Sequence, residues 1–306
     1  MDPAQDRDFT GHTVGHYSIV ALIATGGQGR VYRGRDRRLR RDVALKVLTS
    51  RCQQQPVERR RLILEARALS RLNHQHIAGV YDFLTEGGRD FMVMEFVSGA
   101  TLRDILAGGP LPPAEVVRLG AQLARGLAAA HAANVVHCDV KPGNIKITSS
   151  GELKILDFGL ATLLPAGVVP DSETRTSTGP VRGTVPYMSP EQLRGEKADQ
   201  RSDIFSTGLV LYEMATGTPA FPQRSLAQLV DAIQHVDPLP PSAVNPLVPG
   251  ALEDVILKAM HKDPWDRPAS AIDVAVSLET LLPNRGTSSW PREFRVPAGA
   301  LATGGS

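Results

Sequence analysis

The chain has 306 residues, 42% of them hydrophobic, and a net charge of +2 from 34 basic and 32 acidic side chains; it can bury a core in one large domain or two lobes, which excludes general disorder and leaves no global case for nucleic acid. Its two cysteines, Cys52 and Cys138, argue against a disulfide framework or a thiolate zinc site and fit a reducing compartment. No run of 18 apolar residues occurs, so no membrane span is expected, and Met1–Asp8 lack the apolar stretch of a secretory signal.

Residues 1–13 are polar and are expected to be flexible. Strand patterns follow at Tyr17–Ile23, Val31–Gly34 and Val43–Leu48. Glu58–Leu72 places Leu62, Ala66, Leu69 and Leu72 at helical spacing. Between Arg30 and Arg71 thirteen Arg and one Lys face four acidic residues, a local balance of +10 that reads as a solvated surface, with a docking face for an acidic partner or a membrane surface as the alternative. Two more strands fit Ile77–Leu84 and Phe91–Phe96, after which the pattern turns helical. Pro112-Pro113-Ala114-Glu115 opens a helix running to about Ala133, since proline suits a first turn and a carboxylate suits the dipole there. Further helices fit Arg201–Ala215, Leu226–Gln234, Leu252–Met260 and Ala269–Leu281. A β-rich first third and an α-rich remainder imply two lobes, about 14–97 and 98–282, meeting near Ser98-Gly99. Residues 283–306, rich in Pro, Gly and Ser, read as a tail or linker.

Several residues carry chemistry. Gly26, Gly27 and Gly29 lie between two strands, where backbone N–H groups can approach a phosphate, although taken alone such a turn is more often a plain hairpin. A strand follows rather than a helix, which counts against Rossmann and Walker sites. Lys46 sits inside the apolar strand Val43–Leu48 and must snorkel or be paired, with Glu65 the candidate partner. In His137-Cys138-Asp139-Val140-Lys141-Pro142-Gly143-Asn144 a carboxylate, an ammonium and a carboxamide crowd a loop that Pro and Gly keep from being a helix. Asp157-Phe158-Gly159 comes thirteen residues after Asn144. Asn144 and Asp157 can converge on Mg²⁺ and phosphate oxygens, and Asp139 can orient a hydroxyl and take its proton.

In order and spacing these motifs resemble a bacterial Hanks-type (eukaryotic-like) serine/threonine protein kinase, over about Tyr17 to Leu282. The resemblance implies an α+β bilobal fold: a small, mostly antiparallel β N-lobe with one helix, and a larger, mostly α-helical C-lobe. It implies an ATP- and magnesium-dependent enzyme, with manganese as an alternative ion, that phosphorylates protein Ser/Thr hydroxyls, its own included. By resemblance Lys46 holds the α/β-phosphates, Glu65 clamps Lys46, Asp139 is the base, Lys141 steadies the γ-phosphate, and Asn144 and Asp157 bind the metal. Met94 would be the gatekeeper and Glu95-Phe96-Val97 the hinge facing adenine, with Ile23, Val31 and Ala44 as its roof. Glu191 would pair with Arg267, and Asp203 would hold the catalytic-loop backbone. The expected partners are protein substrates and a second copy through the N-lobe, with no nucleic acid. The expected location is cytoplasmic, alone or as part of a longer membrane-anchored protein.

Three positions depart from the pattern. Ala24 replaces the first loop glycine. Cys138 replaces the arginine that receives a phosphorylated activation loop, so phosphorylation at Thr176 or Thr178 is expected not to be required. Lys146 replaces the apolar floor of the adenine site and is expected to lay its methylenes on the ring and send its ammonium to water. These departures give a non-catalytic nucleotide-sensing or scaffolding module as the rival reading. A small-molecule phosphotransferase is a second rival, opposed by the platform residues Gly183–Glu191 and Arg267.

Overall fold

The structure, a computed structural model, describes residues 8–26, 29–48, 63, 66, 67, 69–158 and 185–282. Gly27, Cys52, Glu65, Gly159, Thr176, Thr178, Gly183, Thr184 and the 283–306 segment lie outside the described residues. Six strands form an antiparallel sheet in the order β1-β2-β3-β4-β6-β5: β1 (Thr13–Val14), β2 (Tyr17–Gly26), β3 (Gly29–Asp36), β4 (Arg41–Leu48), β5 (Val80–Glu86) and β6 (Arg89–Glu95).

Side chains alternate across a strand, and here the alternation separates two apolar clusters. Val43, Leu45 and Val47 of β4 join Phe91 and Val93 of β6 on one face, together with Tyr17, Ile19 and Tyr32. Ala44 and Leu48 join Met92 and Met94 on the other, against Ala66. Lys46 falls between Ala44 and Leu48 on that second face, and only 2% of it is exposed. Helical backbone at Ile63, Ala66, Arg67, Leu69 and Ser70 agrees with the helix expected there.

Residues 8–13, part of the stretch expected to be flexible, are held in place. Phe9 is buried, with its ring edge-on to Tyr32 and Phe91. Gly11 N–H donates to the Ile19 carbonyl at 3.0 Å and Ile19 N–H to His12 at 2.8 Å, so this segment borders the sheet before β1. One aromatic side chain with a ready pocket outweighs a polar composition.

The second lobe is built on α2 (Pro113–Ala132) and α4 (Gln200–Thr216). Before α2 come β7 (Ala100–Thr101) and α1 (Leu102–Leu106), and between the two long helices lie β8 (Ile145–Ile147), β9 (Leu153–Ile155) and α3 (Pro190–Leu193). Leu119, Leu123 and Leu127 of α2 are fully buried, while Arg125, which interrupts its apolar run, reaches out to Glu279 in two 2.7 Å bonds. After α4 follow α5 (Leu226–His235), α6 (Pro241–Val244), α7 (Gly250–Ala259) and α8 (Ala271–Glu279). Strands β7-β8-β9 make a small sheet beneath the lobe junction. Ala78 N–H donates to the Ile155 carbonyl and Ile155 N–H to His76, each at 2.9 Å, which ties the approach to β5 onto β9. Gly99 turns the chain into the second lobe at φ +132°, and a Cβ there would overlap the Ile147 carbonyl. Only glycine fits.

Candidate active site

The loop between α2 and β8 bends sharply, and Cys138 takes φ +62°, a left-handed conformation that costs a non-glycine residue about 1–3 kcal/mol. The surrounding chain holds it there. Asp203, fully buried in the first turn of α4, accepts the His137 and Cys138 N–H groups, both at 2.8 Å. His131 Nε2 meets the same carboxylate at 2.8 Å, and Gln192 Nε2 donates to the Cys138 carbonyl at 2.9 Å. His137 is also buried; its Nε2 faces the Leu156 carbonyl at 2.9 Å and its Nδ1 faces Asp139 N–H at 3.1 Å. That assigns the Nε2–H tautomer from its partners. Asp203 was expected in this role; His131 and Gln192 were not.

The bend presents Asp139, whose two carboxylate oxygens accept Lys141 Nζ at 2.8 and 2.7 Å. Asn144 Nδ2 donates to the Asp139 carbonyl and to Oδ2, both at 2.9 Å. This commits the amide nitrogen and leaves the amide oxygen as the group for a ligand. Asp157 also adopts a left-handed backbone, φ +53°, and its Oδ1 lies 3.2 Å from Lys46 Nζ. Asp157 is thus a partner of Lys46 among the described residues; Glu65, the partner expected, lies outside them. An amide oxygen and a carboxylate suit a hard cation whose remaining positions are taken by water and phosphate, so the donor set fits magnesium.

Above these groups, Val31 stands opposite Lys46, Ala44 opposite Met94, and Val43 opposite Glu95. Met94 and Ala44 are each 8% exposed, whereas Ile23, which falls in the second register shift of β2, between Leu22 and Ala24, is 46% exposed. Gly26 pairs with Gly29 across the hairpin, with Ala24 opposite Val31. Gly29, at φ +131°, has no room for a Cβ beneath the Val47 carbonyl, so its role includes close approach of strands as well as access to phosphate. The Glu95 side chain accepts Lys154 Nζ at 2.9 Å and Gly79 N–H at 3.2 Å, and its own backbone N–H donates to the Gly79 carbonyl at 2.8 Å, which fixes the start of the Glu95-Phe96-Val97 connector.

Lys146 corrects its expectation. Its ammonium does not run to water but donates to the Val97 carbonyl at 2.9 Å, with the Phe96 ring 5.9 Å away. Burial pushes it below the usual lysine range, and the charge of Asp104 opposes that shift. A hydrogen bond to a nearby carbonyl compensates a half-buried ammonium when the path to solvent is closed.

The peptide side of the cleft rests on Glu191 and Arg267. Arg267 Nη1 and Nη2 reach the two carboxylate oxygens at 2.8 and 2.9 Å, and its other N–H groups go to the carbonyls of His261, Arg201 and Lys262. Burial alone would raise the Glu191 carboxyl, but bonds from Arg267 and Ser202 hold it down at about 2. Ser189 caps α3 reciprocally with Gln192, the residue that also holds Cys138.

Transfer of a phosphoryl group asks for little covalent chemistry from a protein; it asks for charge, a cation and a base held in place. A β-lobe over a helical lobe, with such groups in the cleft between them, defines a bilobal nucleotide-dependent phosphotransferase. More narrowly, the protein kinase domain pattern matches residues 17–277, and the chain belongs to that family. It is 42% identical over 285 residues to the serine/threonine-protein kinase PknL of Mycobacterium tuberculosis, covering 92% of this chain and 68% of that one. It is 40% identical over 269 residues to PrkC of Bacillus subtilis, covering 87% of this chain and 40% of that one. The crystal structure of the M. tuberculosis PknI kinase domain superposes with a TM-score of 0.69 at 26% identity, covering 88% of this chain and 98% of that one.

Proposed function

We propose that the chain transfers the γ-phosphate of ATP, with Mg²⁺ as the working ion, to serine and threonine hydroxyls of proteins, itself included. The observation that carries this reading is the restrained Asp139 carboxylate, with both oxygens engaged by Lys141 and one also by Asn144. Bound ATP supplies the phosphoryl group, and the cation neutralises charge that develops on it. Asp139 orients the acceptor hydroxyl and accepts its proton, a role worth about 10²–10⁴ in rate. Lys141 stays close enough to Asp139 to meet the transferring group. Asn144 and Asp157 would hold the cation. Lys46, whose Nζ lies 3.2 Å from Asp157 Oδ1, would meet polyphosphate oxygens beside the cation that Asp157 would hold. The remaining acceleration comes from positioning and charge compensation in the cleft.

Self-association through the N-lobe belongs to this reading, and exposed Val20 and Leu39 on that lobe are consistent with it. So does a cytoplasmic location, alone or within a longer anchored protein. No helix among the described residues is long and apolar enough to cross a membrane.

The test is transfer of labelled γ-phosphate from ATP to the chain and to a generic basic protein, with Mg²⁺ or Mn²⁺, beside Asp139→Asn. Phosphoserine or phosphothreonine that is lost in the variant is expected, with Mg²⁺ sufficient. ATP binding without transfer under either ion would replace this reading by the nucleotide-sensing module.

A further inference from the structure

Strands β8 and β9 carry an unusual pair. Their register sets Lys146 directly opposite Lys154. Ile145, Ile147, Leu153 and Ile155 fill the core on one face, which leaves both lysines on the other. Like charges directly opposite one another destabilise a sheet unless each is drawn to an acceptor of its own. Both are, and both acceptors belong to the short connector between the lobes. Lys154 Nζ bonds the Glu95 carboxylate at 2.9 Å and approaches the Ile77 carbonyl at 3.4 Å. Lys146 Nζ bonds the Val97 carbonyl at 2.9 Å. Glu95 ends β6, and Val97 is 6% exposed, so one ammonium fastens each end of Glu95-Phe96-Val97.

We propose that Lys146 and Lys154 are paired positioning residues that pin the interlobe connector to the helical lobe. Lys146, by occupying the Val97 carbonyl, makes the cleft select against purines that bring an extra N–H donor to that edge. The selectivity follows from the sign of the charges. The carbonyl already accepts a charged donor at 2.9 Å; a further N–H from a ligand meets the like partial charge of that ammonium or has to displace it. A base without that donor meets no such conflict. Hydrogen bonds to charged groups contribute more than neutral ones, so the connector also loses much of its restraint when either lysine is removed.

This inference rests on the cleft being the nucleotide site, and the experiment separates the two. Affinities of the full chain for ADP and for 2-aminoadenosine diphosphate, whose base carries one additional amino group, are measured by calorimetry without turnover. Wild type, Lys146→Met, Lys146→Arg and Lys154→Met are compared, with amide hydrogen exchange followed at residues 96–98. Wild type is expected to favour ADP. Lys146→Met should move the ratio about tenfold toward the 2-amino nucleotide, the effect of one hydrogen bond gained. Lys146→Arg, which keeps a donor, should retain the wild-type ratio. Both methionine variants should exchange faster at the connector, and Lys154→Met should do so without moving the ratio. Because the ratio is internal to each protein, a partly destabilised variant still reports it. An unchanged ratio in Lys146→Met that still binds ADP overturns the inference alone. Failure of wild type to bind ADP overturns the reading beneath it.

Discussion

Replacing Glu191 by glutamine removes one negative charge and almost no volume. It leaves the Arg267 guanidinium, whose side chain is fully buried, without the charge that neutralises it, and it turns one of the two acceptors now bonded at 2.8 and 2.9 Å into an N–H donor. The bond from Ser202 Oγ at 2.6 Å weakens as well. Losing one partner of a buried pair costs about 3–5 kcal/mol, most of it the stranded charge. Glu191 titrates near 2 in the folded chain against an ordinary value of 4.5, and that gap corresponds to about 3 kcal/mol at neutral pH. The folded value lies below the unfolded one, so the unfolded chain binds more protons between them. The stabilisation is therefore complete well above pH 4.5 and fades as pH falls toward 2. Urea unfolding of wild type and Glu191→Gln at pH 7 should differ by about 3–4 kcal/mol. The difference should narrow by about 1 kcal/mol by pH 4, where the unfolded carboxyl is mostly protonated. A difference below about 1 kcal/mol at pH 7, or one that does not narrow, would refute the view that this pair is held as ions.

Asp203→Asn keeps an acceptor for only one of the two backbone N–H groups and sets an amide N–H against the other. It should lower kcat about 10–100-fold with little change in the KM for ATP, because the Cys138 conformation loses its restraint; unchanged kcat in steady-state assays would contradict that role. Gly99→Ala should destabilise the chain by about 2–4 kcal/mol in urea unfolding, from the φ of the native turn and the overlap with the Ile147 carbonyl; a loss within error would mean that the turn relaxes. The Thr176→Ala, Thr178→Ala double variant should keep its transfer rate within about threefold, because Cys138 provides no guanidinium for a phosphorylated segment. A loss beyond tenfold in the same assay would show another receptor.

Much of the fold was legible locally. Strands β2 to β6 and helices α2, α4, α5, α7 and α8 stand within a few residues of where apolar periodicity placed them, because period 2 and period 3.6 are written along the chain itself. Lys46, Asp139, Lys141, Asn144 and Asp157 drew attention by chemical type and spacing, since an ammonium in an apolar strand or carboxylates beside glycine are costly without a use. The pairs Glu191–Arg267 and Asp203 with the loop backbone followed from the resemblance and are present as bonded geometry.

What sequence could not decide was where long side chains end. Lys146 and Lys154 are ordinary lysines until the hairpin register sets them side by side and the connector, 49 and 59 residues away along the chain, comes within their reach. Gln192 reaches the Cys138 carbonyl across 54 residues and His131 reaches Asp203 across 72, and no local pattern announces either bond. Phe9 lay hidden in a polar run because its pocket is made by Tyr32 and Phe91 on other strands. Residue types and periodicity determined the elements and the chemistry at hand. Only tertiary packing, which decides which polar groups lose water and which partner then replaces it, settled how the loop is held and where each lysine points.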